Sequence, residues 1–282
     1  MAGTLHIVAT PLGNLDDLSP RARETLAASA LIACEDTRRT AKLLAHCGLD
    51  RPMVAIHKFS ERDRLDTVLD VLARGDDVAL VSDGGTPGVS DPGALLVAAA
   101  HDAGIRVSPV PGPSAVAAIL SASGLPGDRF VFEGFLPPRP GERRQRLREL
   151  AGESRTIVLF EAPHRALSSL ADMAEVWGAR TIVLGRELSK MFETILRGTA
   201  AELLVRLGEG EVKGEIAIAV AGYDGSSPSG LAGDDRLKAV WEEAQAASGG
   251  DTRVALKAAA KTLGIKKPEL WRRLAERGLV RD

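Results

Sequence analysis

The chain contains 282 residues, of which 45% are hydrophobic and only 4% aromatic, and its formal net charge is −2. This apolar content excludes a disordered chain, and the length allows two domains, or one domain with an appendage. Cys34 and Cys47 form no CxxC pair, so a disulfide framework is excluded and no metal site is expected. Residues 1–5 enter a strand without a secretion signal, and no apolar run approaches the ~18 residues of a membrane span. We therefore expect a soluble, cytoplasmic protein that does not bind a membrane.

Strands alternate with helices in the first half of the chain. We predict strands at residues 5–9, 31–34, 53–56, 78–81 and 106–110. Helices are predicted after Ser19 to residue 29, after Asp36 or Thr37 to Cys47, at 61–74 and at 94–103, and an Ala-rich helix follows the turn at 111–114 and ends near Ser121. The predicted N-caps are Ser19, Asp36 or Thr37, Ser60 and Asp91. Alternation of strands with helices of this length predicts βαβ units and a parallel sheet.

The loop after the strand at residues 78–81 is rich in glycine and proline. Residues 82–93 read SDGGTPGVSDPG, with Asp91 placed as the N-cap and Pro92 as the first residue of the next helix. Glycine lets a ligand approach the backbone closely, and α/β proteins bind ligands at the carboxyl ends of parallel strands. A long connection without a ligand is the alternative interpretation. GxGxxG and GxxxxGK[ST] are both absent here, which excludes the two standard nucleotide motifs.

A second α/β region follows a loop-like composition near residues 123–127. Strands are predicted near residues 130–134, 156–160, 180–184, 192–197 and 215–221, with helices at 142–150, 164–177 and 200–207, which indicates a mixed sheet. We predict one α/β domain at residues 1–122, a second at 123–224, a linker at 225–232 and a helical tail at 233–282. The expected fold class is α/β, with a ligand cleft between two α/β domains, plus a small C-terminal helical domain.

Positive charge is concentrated in two segments. Residues 252–281 contain nine Lys or Arg and two Glu, a local charge of +7 that leaves −9 for the rest. Helices predicted at 252–263 and 267–277 resemble a helix-turn-helix, and five arginines at 139–148 form the second segment. A solvated face, or for the tail a helical cap on a dimer, is the alternative. Two basic patches on an acidic body nevertheless indicate a polyanionic partner.

Eight segments carry a resemblance to a known family. They read VATPLGNLDDLS, CEDTRRTAKLL, SDGGTPGVSDPG, VPGPSAV, FEGFLP, EAPHR, GRELSKMFE and KGEIAIAV. In this order and spacing they resemble the tetrapyrrole (corrin/porphyrin) methylase superfamily over residues 5–222, and within it the branch that methylates a cytidine 2′-oxygen in 16S ribosomal RNA. Gly-Gly-Thr-Pro in the central loop, where tetrapyrrole-specific members typically carry Gly-Gly-Asp-Pro, favours the RNA branch.

The resemblance implies that S-adenosylmethionine binds as the cofactor in the cleft between the two domains. The positions that match the family's cofactor contacts are Pro11, Leu12, Gly84, Gly85, Thr86, Val89, Ser114, Ala115, Glu161 and Leu188. The resemblance also implies 16S rRNA or the small ribosomal subunit as the partner, rather than DNA, and a homodimer. Two alternatives stay open: a methylase that acts on a small tetrapyrrole, and an RNA-binding assembly factor without catalysis.

Methyl transfer to a ribose hydroxyl is helped by a base or a cation near the reacting oxygen. Lys190, with Glu187 three residues before it, is the first candidate, because partial desolvation can lower the pKa of a lysine. Asp36 and His164 are the other catalytic candidates; the alternatives are a surface ion pair for Lys190 and Glu187, a helix N-cap for Asp36 and a structural role for His164. The candidate RNA-binding residues are Arg38, Arg39, Arg165, Arg143, Arg144, Lys266, Lys267 and Arg272.

Overall fold

The first half of the chain forms a five-stranded parallel sheet. The computed structural model describes residues 1–56, 61–208, 212–224, 233–249, 251–263 and 265–280. The strands are β1 Thr4–Val8, β2 Leu31–Cys34, β3 Met53–Ala55, β4 Val78–Val81 and β5 Arg106–Val110. They lie in the order β3-β2-β4-β1-β5, and every neighbouring pair is parallel. The parallel sheet predicted from the alternation of strands and helices is confirmed.

Helices cover both faces of this sheet, because its central strands are apolar on both sides. The helices are α1 Pro20–Ala28, α2 Thr37–His46, α3 Glu61–Ala73 and α4 Ala94–Asp102. In β4, Val78 and Leu80 pack with α3 and α4, whereas Ala79 and Val81 pack with α1 and α2. All four β4 residues are buried, and burial of each large aliphatic side chain stabilises the fold by about 1.5–3 kcal/mol. The sheet therefore holds its carboxyl-end loops on a rigid base.

Capping residues explain where the helices begin, with one correction. The Ser19 side chain accepts a hydrogen bond from the Ala22 amide at the start of α1, as predicted. Asp91 does not cap α4: the N-cap is Gly93, whose φ of 123° is accessible to glycine, and no side chain bonds to the helix start. The Asp91 carboxylate therefore remains available for other contacts. The predicted cap Ser60 lies outside the described residues.

The second half forms a mixed sheet, also as predicted. Its strands are β6 Phe130–Phe135, β7 Thr156–Glu161, β8 Ile182–Arg186, β9 Thr194–Gly198 and β10 Ile216–Val220, in the order β6-β7-β10-β8-β9. Only β6 and β7 are parallel. Helix α5, Ala115–Ser123, packs on one face; the other is covered by α6 Pro140–Glu149, α7 Ala166–Trp177 and α8 Ala200–Leu207. Since α5 follows β5 directly, it joins the two sheets.

In the part of the chain that the structure describes, three helices follow the second sheet, at the C-terminal end. They are α9 Gly233–Ala247, α10 Thr252–Leu263 and α11 Lys267–Glu276. Leu237, Trp241, Ala259, Leu270 and Leu274 give these helices a small core of their own. The predicted linker at residues 225–232 and Gly264, in the expected turn, lie outside the described residues, and the domain boundaries stay predictions. Among the helices that the structure describes, none is long and apolar enough to cross a membrane.

Candidate active site

Backbone hydrogen bonds join the loops at the carboxyl edge of the first sheet. Thr10, after β1, donates its amide to the Gly85 carbonyl at 2.8 Å, and the Gly85 amide donates to the Thr10 carbonyl at 2.9 Å. The Thr86 hydroxyl donates to the Pro113 carbonyl after β5 at 3.2 Å. The Asp36 amide, after β2, donates to an Asp83 carboxylate oxygen at 3.0 Å. Four loops are thereby held against one another at one edge.

Two glycines allow the central loop to lie directly on the β1 loop. A Cβ at Gly84 would stand 3.2 Å from the Pro11 carbonyl oxygen, and one at Gly85 would stand 3.3 Å from Leu12 Cδ2. Gly85 also has a φ of +96°, which side-chain-bearing residues rarely adopt. Larger residues here would push the two loops apart.

A cavity of about 440 Å³ lies between these loops and the second sheet. Its volume falls within the ~300–1,000 Å³ of small-molecule sites. Nine of the ten predicted cofactor-binding residues line it: Leu12, Gly84, Gly85, Thr86, Val89, Ser114, Ala115, Glu161 and Leu188. Pro11 is not among the lining residues, and its carbonyl oxygen lies against Gly84. The structure thus brings the predicted positions to one place.

Aromatic side chains form part of the wall on the side of the second sheet. Phe135 and Phe160 both line the cavity, with ring centroids 5.8 Å apart in an edge-on arrangement. Phe132 extends the cluster, 5.0 Å from Phe160. Sequence reasoning did not single out these residues, although FEGF and FEAP place them at strand ends. A flat apolar wall of this kind accommodates an aromatic ring of a ligand.

Carboxylates dominate the polar part of the lining. They belong to Glu35, Asp83, Asp91, Glu161 and Glu215, and Arg39 is the one cation among the described lining residues. Burial raises the pKa of Asp83, although the Arg39 charge opposes the shift. Burial, with the charges of neighbouring carboxylates, raises the pKa of Asp91 to about 6. The cavity is therefore a negative environment that favours a cationic group.

Comparison with known proteins assigns this architecture to a family. The profile of the Tetrapyrrole (Corrin/Porphyrin) Methylases matches residues 4–204. The chain belongs to this family. As a methylase of this family it is an enzyme, which confirms the predicted methyltransferase activity and S-adenosylmethionine as the methyl donor.

Curated relatives of this methylase cover most of its length. It is 50% identical over 244 residues to the ribosomal RNA small subunit methyltransferase I of Xylella fastidiosa strain Temecula1, covering 86% of this chain and 89% of the relative. It is 47% identical over 224 residues to the protein of the same name from Escherichia coli O157:H7, covering 78% of each.

Solved structures share the fold of this methylase at low identity. A cobalt precorrin-4 methyltransferase superposes with a TM-score of 0.60 at 18% identity, covering 77% of this chain and 94% of that one. A uroporphyrin-III C-methyl transferase from Thermus thermophilus, complexed with S-adenyl homocysteine, gives a TM-score of 0.56 at 20% identity, covering 78% and 97%. These likenesses confirm the predicted fold class.

The residues of the cavity fit the methyl donor. S-adenosylmethionine carries a sulfonium and an ammonium against a single carboxylate, so the acidic lining matches its net positive charge. The first turn of α5, with Ser114, Ala115 and Val116 in the lining, presents amide groups and the positive end of a helix dipole, which suit the carboxylate. The phenylalanine wall suits the adenine ring.

Lys190 lies outside the lining and is not the activated base that the sequence suggested. Its ammonium is 2.9 Å from Glu187 and 3.1 Å from Glu215, and only Glu215 of these lines the cavity. Its side chain rests on Gly13, where a Cβ would stand 2.2 Å from Lys190 Cγ. Burial lowers the pKa of Lys190, but the hydrogen bonds and charges of the two glutamates outweigh it and leave the pKa raised. The methylase therefore keeps Lys190 protonated.

The other catalytic candidates also lie outside the lining. Asp36 caps α2 by accepting from the Arg38 amide at 2.8 Å, and its carboxylate pairs with the Arg38 guanidinium at 2.7 Å. These bonds hold the pKa of Asp36 well below its usual range. His164 is exposed in a short 3-10 helix, Pro163–Arg165. The structure thus assigns Asp36 to the helix cap, the alternative considered above.

The prediction that Arg143 binds RNA is wrong, because the Arg143 side chain is buried. The Arg143 side chain is only 3% exposed, and its Nε lies 2.6 Å from Asp172. Arg144, 36% exposed, pairs with the same carboxylate at 3.1 Å, and Arg165 pairs with Glu161 at 2.5 Å. The exposed predicted cations are Arg38, Arg39, Lys266, Lys267 and Arg272. Arg143 therefore stabilises the interior of the second sheet's helical layer.

Proposed function

We propose that this methylase transfers a methyl group from S-adenosylmethionine to the 2′-oxygen of a cytidine ribose in 16S rRNA of the small ribosomal subunit. The observation that carries the proposal is the 45–50% identity to relatives named ribosomal RNA small subunit methyltransferase I, over about four fifths of the chain or more. The glycine-rich loop and the PGPSA loop, which line the cavity that would hold the methyl donor, are both intact, and this argues against an assembly factor without catalysis.

The residues of the cavity supply mainly position and charge. When bound, the cofactor supplies an electrophilic methyl group on a positive sulfur. Gly84, Gly85 and Thr86 would hold it against the β1 and β5 loops, which the hydrogen bonds at the sheet edge keep in place. Exact placement of the ribose oxygen in line with the carbon–sulfur bond then accounts for much of the rate.

Lys190 and Arg39 would hold the lining residue Glu215 in place, Arg39 from the first half of the chain and Lys190 from the second. Arg39 Nε lies 3.5 Å from Asp83 Oδ2, and Arg39 Nη1 lies 3.9 Å from Glu215 Oε1. Lys190 Nζ lies 3.1 Å from Glu215 Oε2. Glu215 thus joins a cation of the first half to a cation of the second half across the cavity. Lys190 acts in this proposal as a positioning residue for Glu215, with Glu187 as its second anchor.

Exposed cations would bind the RNA backbone on either side of a cytidine that is flipped out of the base stack. Arg38 has an 88% exposed side chain, next to the cavity residue Arg39. Lys266, Lys267 and Arg272 are exposed at the start of α11. Contacts of this kind position an RNA by its phosphates, whereas the 2′-hydroxyl in the cavity distinguishes RNA from DNA. Binding should therefore weaken steeply with salt.

Two further expectations belong to this proposal. A homodimer, expected from the family resemblance, is tested by sedimentation equilibrium. A location in the cytoplasm, together with the ribosomal RNA, is tested by cell fractionation.

Transfer of tritiated methyl from S-adenosylmethionine tests the substrate class. The enzyme is offered small ribosomal subunits, naked 16S rRNA and a uroporphyrinogen in parallel, and the chain cut after residue 224 serves as the comparison without α9–α11. We expect label in RNA only, with weaker labelling by the shortened chain. Label in the tetrapyrrole and none in RNA would reject the proposal in favour of a small-molecule methylase. Tight binding of 16S rRNA without cofactor binding, and with no label in any substrate, would favour the assembly factor.

A further inference from the structure

A second, smaller pocket lies at the end of β8, on the face of the second sheet that α8 covers. Its volume is about 210 Å³, below the ~300–1,000 Å³ of typical small-molecule sites, so it suits a small group rather than a whole cofactor. The described residues that line this basic pocket are Leu184, Arg186, Thr194, Leu196, Arg206 and Leu207. They include two arginines and no carboxylate, so its charge is opposite to that of the acidic cavity.

The alternation of side chains along β8 and β9 builds this pocket. In the antiparallel register Arg186 lies opposite Thr194, and Leu184 lies opposite Leu196. Residues that are paired in this way, two positions apart, project from the same face of a sheet. The last turn of α8 adds Arg206 on that face. The basic pocket therefore combines apolar side chains with two guanidinium groups.

Strand β9 holds both guanidinium groups in place. Arg186 Nη2 donates to Thr194 Oγ1 at 3.3 Å, and Arg206 Nη1 donates to the Arg197 carbonyl at 3.0 Å. Among the described residues, the buried Nε of Arg186 has no hydrogen-bond partner. Each guanidinium group thus keeps further N–H donors beyond the bond that orients it. Because Arg206 is exposed, a ligand reaches these donors from solvent.

The acidic side chains beside the two arginines are bound to other groups. Glu187, which follows the first arginine in the chain, accepts from Lys190 Nζ at 2.9 Å. Glu202, one helical turn before the second arginine, caps α8 by accepting from the Thr199 amide at 2.8 Å. Within the described part of the chain, neither arginine has a carboxylate at ion-pair distance. Guanidinium groups in this situation bind anions, and their planar fork matches the oxygens of a phosphate.

The basic pocket and the acidic cavity lie on the two sides of the end of β8. Leu188, which lines the cavity, is two residues after Arg186, so their Cα atoms lie within about 7 Å of each other. Between β8 and β9, the loop at 187–193 presents Met191 and Phe192, which are 91% and 73% exposed. Exposed aromatic rings beside positive charge are typical of surfaces that bind single-stranded nucleic acid. An RNA strand with a cytidine in the cavity can therefore place a neighbouring phosphate here.

We propose that Arg186 and Arg206 form a binding site for a phosphate group, and that the RNA backbone beside the target nucleotide supplies this phosphate. The source of the phosphate rests on the proposed function, whereas the site itself does not. One phosphate lies between the two guanidinium groups and accepts hydrogen bonds from both. Such a contact fixes the position of the RNA strand without reading its sequence. It strengthens the binding of RNA and leaves the methyl-transfer step unchanged.

The test measures filter binding of 16S rRNA over a range of salt concentrations for Arg186→Gln, Arg206→Gln and the double variant. Arg197→Gln is the matched control, because its exposed side chain does not line the pocket and only its carbonyl holds Arg206. We expect each single variant to weaken RNA binding about tenfold. The double variant should make the slope of log K against log salt less steep by about 0.7, as for one shared phosphate. The control should bind as wild type does.

Methyl transfer to small ribosomal subunits separates binding from chemistry. The variants should have a raised KM for the subunits, with kcat and the Kd for S-adenosylmethionine equal to those of wild type. The Tm of each variant establishes that it is folded, and the exposed position of Arg206 makes Arg206→Gln the safer variant in this respect. A lowered kcat at unchanged KM would overturn the assignment, because the arginines would then act on the reaction and not on binding.

Calorimetric titration with inorganic phosphate distinguishes the sources of the phosphate. If phosphate binds wild type but not the double variant, while both bind RNA equally, the site takes a free phosphate group and the assignment to RNA is wrong. A slope change of about 1.4 would mean two separate phosphates and no shared site. An equal loss of RNA binding in the control would make the effect one of net charge. If wild type leaves RNA unlabelled, the proposed function falls, and the phosphate titration still tests the pocket.

Discussion

Replacement of Arg143 by methionine should destabilise the protein without weakening its contact with RNA. Asp172, whose side chain is 9% exposed, accepts from Arg143 Nε at 2.6 Å and from Arg144 Nη1 at 3.1 Å. Methionine keeps much of the apolar stem of arginine but removes the charge. Loss of one partner of a buried ion pair costs about 3–5 kcal/mol, because the other charge is left without compensation. Since Arg144 stays in place, we expect a loss of about 3 kcal/mol, the lower end of this range.

Thermal unfolding followed by circular dichroism measures this effect. A loss of about 3 kcal/mol lowers the Tm of a domain of this size by roughly 6–12 °C. Arg148→Met is the matched control, because Arg148 is exposed on the same helix and should change the stability by less than about 0.5 kcal/mol. The affinity for 16S rRNA, measured well below the Tm, should equal that of wild type. An unchanged Tm together with weaker RNA binding would refute the structural role of Arg143.

Two further predictions concern charge. Folding raises the pKa of Asp91 from 3.8 to about 6, so the folded protein favours the protonated carboxyl group. The free energy of unfolding that this preference contributes is therefore present below about pH 4 and is lost as the pH rises through 6. Urea unfolding should therefore find Asp91→Asn more stable than wild type at neutral pH but not at pH 4; a pH-independent difference would contradict this. The affinity for RNA falls as salt rises, and filter binding measures the slope of log K against log salt. The double substitution of Lys266→Ala with Lys267→Ala should make this slope less steep by about 1.4. An unchanged slope would place both lysines away from the RNA.

Much of the fold could be predicted, because it depends on local patterns. The apolar run of β4 is buried on both faces, as its unbroken hydrophobicity indicates. Ser19 and Ser114 begin their helices through the side-chain hydrogen bonds that serine favours at an N-cap. The glycine-rich loop lies where the carboxyl ends of parallel strands meet, so its position at the cavity followed from the alternation of strands and helices.

The role of individual charged residues could not be predicted, because it depends on partners that are distant in the chain. Lys190 was expected to have a lowered pKa, but Glu215, 25 residues away, helps to keep it protonated. Arg143 was counted among exposed cations, but Asp172, 29 residues away, holds it in the interior. Asp91 was predicted to cap α4 because aspartate is common at N-caps, but the N-cap is Gly93.

Nucleoside analysis of methylated 16S rRNA tests the central claim most directly. Small subunits that carry no methyl group at the target are incubated with this enzyme and S-adenosylmethionine, and the RNA is then digested to nucleosides and examined by mass spectrometry. The account predicts a single new product, a cytidine with its extra methyl group on the ribose. A methyl group on a base, or RNA that remains unmodified while the enzyme binds its cofactor, would contradict it.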